Sequence, residues 1–324
     1  MRQLQHFAFA RHALVAAFRM CGVGSGSKVL LPNFICRDVL ASLRAVGASP
    51  VYYDIDTDLQ IRNGQDIPRV DVALAVNYFG FPADLQRLRA VFGASPIIIE
   101  DNAHGWLSES EDGQKLGSRT PIGVTSFRKT IFTPDGAFLE WDAEKFSADF
   151  DGFDSLSSRS DRLSLGYYLR RGARSVERVA RLPVLLTMRL IVRSSRRAVG
   201  RSMIDSRPEE EYVLPTEVAI HQESLRTFMR TNREREIRRR RNQFLRCAEI
   251  ASECSILPVF SALPDGVVPQ GFPYYANQGN ERRFATRVQL QRLGDDMSWP
   301  ALPQSTTLDS DSPLRSLRLV NFLR

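Results

Sequence analysis

The first 140 residues alternate short apolar segments with segments of helical spacing, and no other feature of the sequence restricts the possible folds as strongly. One of these segments, Pro96-Ile-Ile-Ile-Glu-Asp101, has a continuous apolar centre. Such a centre is expected for a parallel strand that is covered on both faces. Strands that alternate with helices favour a mostly parallel sheet with helices on its faces. We therefore predict an α/β fold.

Apolar periodicity and turn residues predict the elements of this fold. Strands are expected at 28–32, 50–56, 71–79, 96–101, 123–127, 137–141 and 271–276. Helices are expected at 6–21, 36–46, 83–92, 216–255 and 282–293. This order predicts a large α/β domain over residues 1–153, a basic helical insertion over 154–207, and a helix with a smaller C-terminal α/β domain over 208–324.

The composition, with 43% hydrophobic and 25% charged residues, is that of a soluble globular protein. No uninterrupted apolar run approaches the roughly 20 residues of a membrane span. The chain starts at Met1 directly into a polar segment, without the pattern of a signal peptide, and we expect a cytoplasmic protein. Its four cysteines have no CxxC spacing and no neighbouring histidine cluster, so we expect no metal site.

The net charge of +7 is compatible with a nucleic acid, an anionic surface or a phosphorylated substrate as partner. Glu234 and Glu236 interrupt the arginines of residues 232–242, and no aromatic residue lies between them. We therefore interpret this stretch as a solvated or subunit-facing helix and expect no nucleic-acid partner. Two interpretations of the basic insertion stay open. It forms surface helices packed on the main domain or, over residues 160–205, an amphipathic segment on an anionic membrane.

The chain uses arginine for nearly all of its positive charge. Only four of its 44 basic residues are lysines, namely Lys28, Lys115, Lys129 and Lys145. A lysine amine, unlike a guanidinium, can lose its proton and attack a carbonyl. Lys129 follows a short apolar run and precedes a Pro-Asp-Gly turn. This context suits a buried, positioned amine, although a surface lysine at a hairpin fits the local sequence as well.

Polar residues follow several of the predicted strands. Asp101 ends the strand at 96–101, and Asn102 and His104 come directly after it. Ser126 and Lys129 lie at the end of the strand at 123–127. In open parallel sheets ligands bind at the carboxyl ends of strands, so the carboxylate and the amine can converge on one molecule. A pyridoxal phosphate site requires such a pair, because the lysine holds the cofactor and the carboxylate keeps its pyridine nitrogen protonated.

The same residues lie in blocks that resemble the signature of the DegT/StrS aminotransferases. The blocks are Ile99-Glu-Asp-Asn-Ala-His104, Leu116-Gly-Ser118, Gly123-Val-Thr-Ser-Phe-Arg-Lys-Thr130 and Pro134-Asp-Gly-Ala137. Three further stretches agree: Arg11-His-Ala-Leu14, Val29-Leu-Leu-Pro-Asn-Phe34 and Val76-Asn-Tyr-Phe-Gly-Phe-Pro82. The resemblance implies a fold-type-I pyridoxal-phosphate transferase, with a mostly parallel mixed sheet, that acts as a homodimer. It implies transfer of an amino group from an amino acid to a keto group, such as that of a nucleotide-linked sugar or polysaccharide precursor.

The resemblance also implies residue roles. Lys129 would be the Schiff-base lysine and would move the proton during transfer, and Asp101 would pair with the pyridine nitrogen. His104 would lie by the phenolic oxygen of the cofactor, unless it only starts a helix. Ser126 would hydrogen-bond the phosphate. The backbone of Ala10 and Arg11, at a helix N-terminus, would also bind it, and these two residues stand where many relatives have Gly-Thr.

Some parts of the sequence depart from the resemblance. The aromatic residue that usually stacks on the cofactor ring aligns nearest Cys36, with Phe34 two positions earlier, so either could cover the ring. Residues 154–207 have no counterpart in the sugar enzymes. The phosphate-binding asparagine segment of a neighbouring subunit is not recognisable near residues 205–220. An alternative is therefore a catalytically divergent or non-catalytic protein of this fold, with a binding, regulatory or membrane-associated role.

Overall fold

The structure, a computed structural model, describes residues 1–93, 96–147, 158–180, 208–276, 279–306 and 308–323. The N-terminal half contains a seven-stranded sheet. Its strands are β1 (Arg2–Phe7), β2 (Lys28–Pro32), β3 (Ser49–Tyr53), β4 (Val72–Val76), β5 (Ile97–Asn102), β6 (Ile122–Thr125) and β7 (Ala137–Asp142). The helices between them are α1 (Ala10–Met20), α2 (Val39–Ala45) and α3 (Leu85–Phe92).

The centre of this sheet is parallel, as predicted from the sequence. The strand order is β1-β7-β6-β5-β4-β2-β3. Strands β6, β5, β4, β2 and β3 pair in parallel, whereas β7 and β1 extend the sheet by antiparallel pairs. Strand β4 is buried along its whole length, as expected for a strand covered on both faces. The segments that follow β2, β4, β5 and β6 therefore lie along one edge of the sheet.

The predicted helix over residues 6–21 is wrong at its start. Residues 2–7 form β1, and the helix begins at Ala10. Phe9 has an extended backbone, with φ of −135° and ψ of 148°, and so separates the two elements. Residues 2–7 become a strand because they pair with β7, from Arg2 opposite Asp142 to Phe7 opposite Ala137. The predicted helix over 36–46 is likewise shorter, since α2 begins at Val39.

The C-terminal half contains four helices and a second sheet among the described residues. The helices are α4 (Leu165–Ala180), α5 (Gln222–Arg230), α6 (Arg233–Glu253) and α7 (Glu281–Leu290). The strands are β8 (Leu257–Pro258), β9 (Gly271–Tyr275), β10 (Asp295–Ser298) and β11 (Leu317–Asn321). They pair antiparallel throughout, in the order β10-β11-β9-β8. Strand β9 and helix α7 were expected from the sequence, and α5 and α6 were expected as one helix over 216–255. The short or late strands β8, β10 and β11 were missed.

The predicted single helix over residues 216–255 is two helices. The chain breaks between α5 and α6 at Thr231 and Asn232, and the Asn232 side chain accepts a hydrogen bond from the backbone N–H of Arg235 at 2.9 Å. An asparagine in this position caps the start of a helix.

The interpretation of residues 232–242 as a solvated or subunit-facing helix is also wrong in part. The side chain of Arg240 is completely buried, and α6 packs on the body of the protein through Phe244 and Ile250.

Part of the predicted insertion over 154–207 lies outside the described residues, which include only 158–180 of it. Within that part, Tyr167 and Ala173 of α4 are buried, whereas Leu165 and Leu169 are exposed. In the portion of the chain that the structure describes, no helix combines the length and the apolar character needed to cross a bilayer.

Gly136 joins the segment around Lys129 to the start of the chain. Its N–H donates to the carbonyl of Ala8 at 2.7 Å, and its carbonyl accepts from the N–H of Arg128 at 3.2 Å. Its φ is +136°, and a Cβ added there would lie 2.2 Å from the ring of Phe127. Both the backbone conformation and the close approach of this ring therefore require glycine.

We predict that Gly136→Ala lowers the free energy of unfolding by roughly 2–5 kcal/mol, because it adds backbone strain to a clash. Gly113→Ala is the matched control. Gly113 has a φ of +77° but open space around it, so its substitution should cost about 1–2 kcal/mol. Urea denaturation of both variants measures the difference. Equal losses would contradict the importance of the contact with Phe127.

Candidate active site

A cavity opens at the carboxyl edge of the parallel strands. Its walls come from α1, from the segments after β2, β4, β5 and β6, and from one C-terminal residue. The lining residues are Phe9, Ala10, Arg11, Leu14, Ile35, Cys36, Asp38, Val39, Val76, Tyr78, Asp101, Ala103, His104, Ser126, Arg128, Lys129 and Trp299. The empty space between them, including the part that is open to solvent, is about 610 Å³.

Lys129 and His104 meet at the floor of this cavity. Lys129 lies in a single 3₁₀ turn, Phe127–Lys129, directly after β6, and its Nζ is 3.1 Å from Nε2 of His104. The other ring nitrogen of His104, Nδ1, accepts the backbone N–H of Phe79 at 3.2 Å. A neutral imidazole that accepts at Nδ1 carries its proton on Nε2. The proton of His104 therefore points at the Lys129 amine, and only the neutral form of this amine can accept it.

The electrostatics of the pair favour these neutral forms. Burial lowers the pKa of His104 well below its ordinary value, and the nearby Lys129 charge lowers it further. Burial also lowers the pKa of Lys129, although the Asp101 carboxylate partly opposes this effect. Burial penalises the charged form of each base, and two cations so close together would repel each other. The arrangement thus keeps a lysine amine closer to its nucleophilic state.

Asp101 is the acidic group of the cavity. Its Oδ1 accepts the backbone N–H of Ala103 at 2.9 Å. Within the described residues, Oδ2 has no hydrogen-bond partner. Burial raises the pKa of Asp101, while the positive charge of Lys129 and the Ala103 N–H lower it. A cationic group in the cavity would pair with this carboxylate and offset the cost of its burial.

A second carboxylate, Glu100, faces the other side of β5, because side chains alternate along a strand. It is completely buried and forms an ion pair with Arg119 at 2.7 Å. The Asn77 amide also donates to it, at 2.8 Å. Asn77, a residue at a strand end, therefore belongs to this polar network rather than to the cavity. The network fixes β4 and β5 side by side and so positions Asp101.

Arg240 supports the Lys129 turn from α6. Its Nε donates to Glu236 at 2.7 Å. Its Nη1 donates to the carbonyls of Pro269 and Gln270 at 3.0 and 2.9 Å, and its Nη2 donates to the carbonyl of Thr130, the residue after Lys129. Burial lowers the pKa of this guanidinium to about 10, although Glu236 opposes the shift. The buried charge is thus paired and hydrogen-bonded, the condition under which such a charge is tolerated.

These hydrogen bonds close a ring around the two bases. Gln270, which accepts from Arg240, donates its own N–H to the carbonyl of Phe79 at 2.8 Å. The N–H of Phe79 donates to His104, and His104 contacts Lys129, which is one residue from the carbonyl that Arg240 holds. The distance between Lys129 and His104 therefore depends on a helix from the C-terminal half.

Aromatic side chains enclose the His104 ring. Phe79 stacks on it, with ring centres 5.8 Å apart and planes inclined by 12°. Trp299 meets it edge-on at 5.2 Å and contacts Phe79 at 4.8 Å. Trp299 was not predicted as a site residue, and no local signal marks it. It is the only lining residue from the C-terminal half among those that the structure describes.

The structure separates the two candidates for covering a ligand ring. Cys36 lines the cavity, and burial raises the pKa of its thiol to about 11. Phe34 does not line the cavity. It is buried beneath the wall, where its carbonyl accepts from the Tyr78 hydroxyl and its ring contacts Trp299 at 5.7 Å.

The remaining predicted residues gather at the start of α1. Ala10 and Arg11 lie in its first turn, and Ser126 lies in the same cavity wall. Asp38 was not predicted. It is 3.9 Å from Arg11, between Asp38 Oδ2 and Arg11 Nη2, while its Oδ1 is buried without a hydrogen-bond partner. The structure thus brings together seven of the eight predicted site residues, and only Phe34 lies apart.

The N-terminal half of the chain matches a known protein family. Residues 7–150 match the DegT/DnrJ/EryC1/StrS aminotransferase family. This match confirms the resemblance that we described from the sequence blocks. It contains the strands β2–β7 and all lining residues of the cavity except Trp299.

Two curated relatives match in the same part of the chain. The L-glutamine:2-deoxy-scyllo-inosose aminotransferase of Streptomyces kanamyceticus is 31% identical over 130 residues, which are 38% of this chain and 30% of that protein. The UDP-N-acetyl-3-dehydro-alpha-D-glucosamine 3-aminotransferase of Acidithiobacillus ferrooxidans is 31% identical over 121 residues, 36% of this chain and 32% of that protein. The match thus spans about a third of each relative.

Solved structures resemble the chain over nearly its whole length. The aminotransferase TlmJ of Streptoalloteichus hindustanus superposes with a TM-score of 0.61 at 18% identity, covering 99% of this chain and 80% of that one. Spr1654 of Streptococcus pneumoniae, in its PMP-form, gives a TM-score of 0.62 at 18% identity, covering 98% and 82%. The fold is therefore that of the pyridoxal-phosphate aminotransferases, as predicted.

We predict that Arg240→Met lowers the free energy of unfolding by about 3–5 kcal/mol, because three buried carbonyls lose their donor. Arg238→Met on the exposed face of the same helix is the control, with an expected change within about 0.5 kcal/mol. Chemical denaturation followed by circular dichroism measures both. Equal stability of the two variants would show that the ring of hydrogen bonds is not important for the fold.

We also predict a shifted titration of the Lys129 amine. Acetylation by acetic anhydride requires the neutral amine, so the pH midpoint of Lys129 labelling should lie below the ordinary value of 10.5, because burial lowers its pKa. In Asp101→Asn the midpoint should fall further, because a negative charge that raises this pKa is removed. Peptide mass spectrometry across a pH series, with the exposed Lys28 as labelling reference, checks both. A midpoint at or above 10.5 would contradict the electrostatic argument.

Proposed function

We propose that the chain is a pyridoxal-phosphate-dependent aminotransferase that moves an amino group from an amino acid to a keto group, such as that of a nucleotide-linked sugar or polysaccharide precursor. One observation carries this proposal: the amine of Lys129, the carboxylate of Asp101 and the imidazole of His104 converge in one cavity. The cavity lies in the region that matches the aminotransferase family. The solved relatives of the same fold include a PMP-form, which supports the cofactor.

The chemistry of the cavity residues fits this cofactor. Asp101 offers an unpartnered carboxylate oxygen, which suits a protonated pyridine nitrogen. Lys129 offers an amine for the aldehyde, and Arg11 and Ser126, with the start of α1, offer donors for the phosphate. When bound, pyridoxal phosphate supplies an electron sink that stabilises negative charge on the carbon next to the transferred nitrogen.

Lys129 would hold the cofactor and move the proton that accompanies amino transfer. Its lowered pKa serves both tasks, because a base acts best when its pKa is near the working pH. His104, next to Lys129, would serve as a neutral hydrogen-bond donor. Since its pKa is lowered and its Nδ1 is occupied by Phe79, it can only donate through Nε2. Such a donor would hydrogen-bond the phenolic oxygen of the cofactor.

Cys36 would lie where relatives have an aromatic residue over the cofactor ring. The geometry favours Cys36 over Phe34 for this position, because only Cys36 lines the cavity. Its thiol, with a pKa raised to about 11 by burial, would stay protonated and act as a small apolar contact.

The relatives' names indicate the class of acceptor. One curated relative is named for 2-deoxy-scyllo-inosose and the other for a dehydro-glucosamine linked to UDP. Both names describe a keto group on a six-membered ring with hydroxyls. We propose a cyclic keto-polyol of this type as acceptor here, and an amino acid such as glutamate as donor.

We further propose, from the family resemblance, that the protein is a homodimer in the cytoplasm. Each chain would have a large cofactor-binding domain over 1–153, an insertion over 154–207 and a smaller domain over 208–324.

We predict that the protein purified with pyridoxal phosphate absorbs visible light as a lysine-bound cofactor, and that Lys129→Ala does not. Excess glutamate should convert the bound cofactor to its pyridoxamine form, which changes the spectrum. Asp101→Asn should bind the cofactor but slow this conversion by at least about 10²-fold, because the ring nitrogen loses its anionic partner. Absorbance titration and stopped-flow mixing measure both steps.

The outcomes separate the candidate functions. If the wild type forms no lysine-bound species, the proposed function is wrong. If the species forms but no amino acid converts it, the chain binds the cofactor without transferring amino groups, and the non-catalytic alternative is favoured.

A further inference from the structure

Two guanidinium groups flank one aromatic ring at the start of α1. The Cζ of Arg128 is 5.1 Å from the ring centre of Phe9, and the Cζ of Arg11 is 5.9 Å from the same centre. Phe9 immediately precedes α1, and both arginines line the cavity. Arg128 directly precedes Lys129 in the chain, and its guanidinium lies beside the residue that precedes α1.

The two arginines differ in their partners. Arg11 forms an ion pair with Asp38 at 3.9 Å, a separation too long for a hydrogen bond, so its N–H donors stay available. The guanidinium of Arg128 has no ion pair and no side-chain hydrogen bond among the described residues. Only its backbone N–H is bonded, to the carbonyl of Gly136. Burial lowers the pKa of Arg128 and the Arg11 charge lowers it further, while the Asp38 and Asp135 carboxylates oppose this shift without reversing it. An anion beside the two guanidinium groups would therefore stabilise the arrangement.

Other donors surround the same space. Helix α1 has eleven residues, no side chain caps its start, and its first turn contains no acidic residue. Free backbone N–H groups and the helix dipole therefore face the cavity with partial positive charge. The Ser126 hydroxyl lies in the same wall and makes only a long bond, 3.4 Å, to the Gly136 carbonyl.

The number of donors indicates the kind of anion. A carboxylate has two oxygens, and one guanidinium fork satisfies both of them. Here the donors are more numerous: two guanidinium groups, the first turn of α1 and the Ser126 hydroxyl lie in the same cavity wall. A phosphoryl group offers three strongly accepting oxygens and up to two negative charges, and so suits more donors and more positive charge.

We propose that Arg128 is an anion-binding residue that, together with Arg11, binds a phosphoryl dianion in this cavity. The inference rests on the proposed function, because the phosphate ester of pyridoxal phosphate is the source that we favour. A phosphoryl group of the substrate has the same chemistry. The guanidinium of Arg128 would supply the charge that the Arg11–Asp38 pair only partly provides.

The test compares two ligands that differ only in the phosphate. Dissociation constants for pyridoxal phosphate and for pyridoxal are measured by quenching of tryptophan fluorescence, since Trp299 lines the cavity. In Arg128→Gln we expect binding of pyridoxal phosphate to weaken by roughly 10–100-fold, because charge-assisted hydrogen bonds are lost, and binding of pyridoxal to change less than about twofold. Arg128→Lys keeps the charge but loses the planar guanidinium with its paired N–H donors. Its dissociation constant for pyridoxal phosphate should lie between those of the wild type and Arg128→Gln.

Arg282→Gln is the matched control, because Arg282 is exposed on α7 and its loss changes the net charge by the same amount. It should leave both constants unchanged. Equal weakening of both ligands in Arg128→Gln would mean a structural role for Arg128 and would overturn the inference. An unchanged affinity for pyridoxal phosphate would overturn it as well.

A second arm separates the sources of the phosphoryl group. Inorganic phosphate should raise the melting temperature of the cofactor-free wild type and of Arg282→Gln but not of Arg128→Gln. In the wild type loaded with pyridoxal phosphate, this rise should disappear if the cofactor's phosphate fills the site. A rise that persists in the loaded protein would assign the site to a substrate phosphoryl group instead. No rise in any form would contradict the anion site. If the wild type binds inorganic phosphate but not pyridoxal phosphate, the proposed function fails while the anion site stands.

Discussion

The contact between two nitrogen bases of the cavity, Lys129 and His104, is the interaction on which the whole site depends. At 3.1 Å the two side chains cannot both carry a positive charge. The backbone N–H of Phe79 occupies Nδ1 and so directs the proton of His104 towards the lysine. Burial lowers the pKa of both groups in the same direction. In a chain with only four lysines, one of them thus has a lowered pKa and lies in the cavity.

The rest of the structure maintains this contact from both sides. The parallel sheet brings the ends of β5 and β6 together and thereby sets His104 near Lys129. Arg240 of α6 holds the Thr130 carbonyl and, through Gln270, the Phe79 backbone. The C-terminal half therefore does more than cover the cavity. It fixes the geometry of bases that belong to the N-terminal half, at the cost of burying a guanidinium.

The sequence predicted the parts of the site that local patterns determine. Lys129 and Asp101 could be found because each ends an apolar strand, and the carboxyl ends of parallel strands must meet. The strand β1 could not be found, because its residues form a strand only through their pairing with β7, which is distant in the sequence. Trp299 and Arg240 were missed for the same reason, since their contacts cross most of the chain. The choice between Cys36 and Phe34 depended on the course of the loop after β2, which no periodicity describes.

The most direct test of the account is to locate the covalent attachment of the cofactor. The protein is incubated with pyridoxal phosphate, reduced with borohydride and digested, and the modified lysine is identified by mass spectrometry. We predict a stoichiometric adduct on Lys129, because burial lowers the pKa of its amine and the amine lies against His104 in the cavity. An adduct mainly on Lys28, Lys115 or Lys145, or no adduct at all, would contradict it.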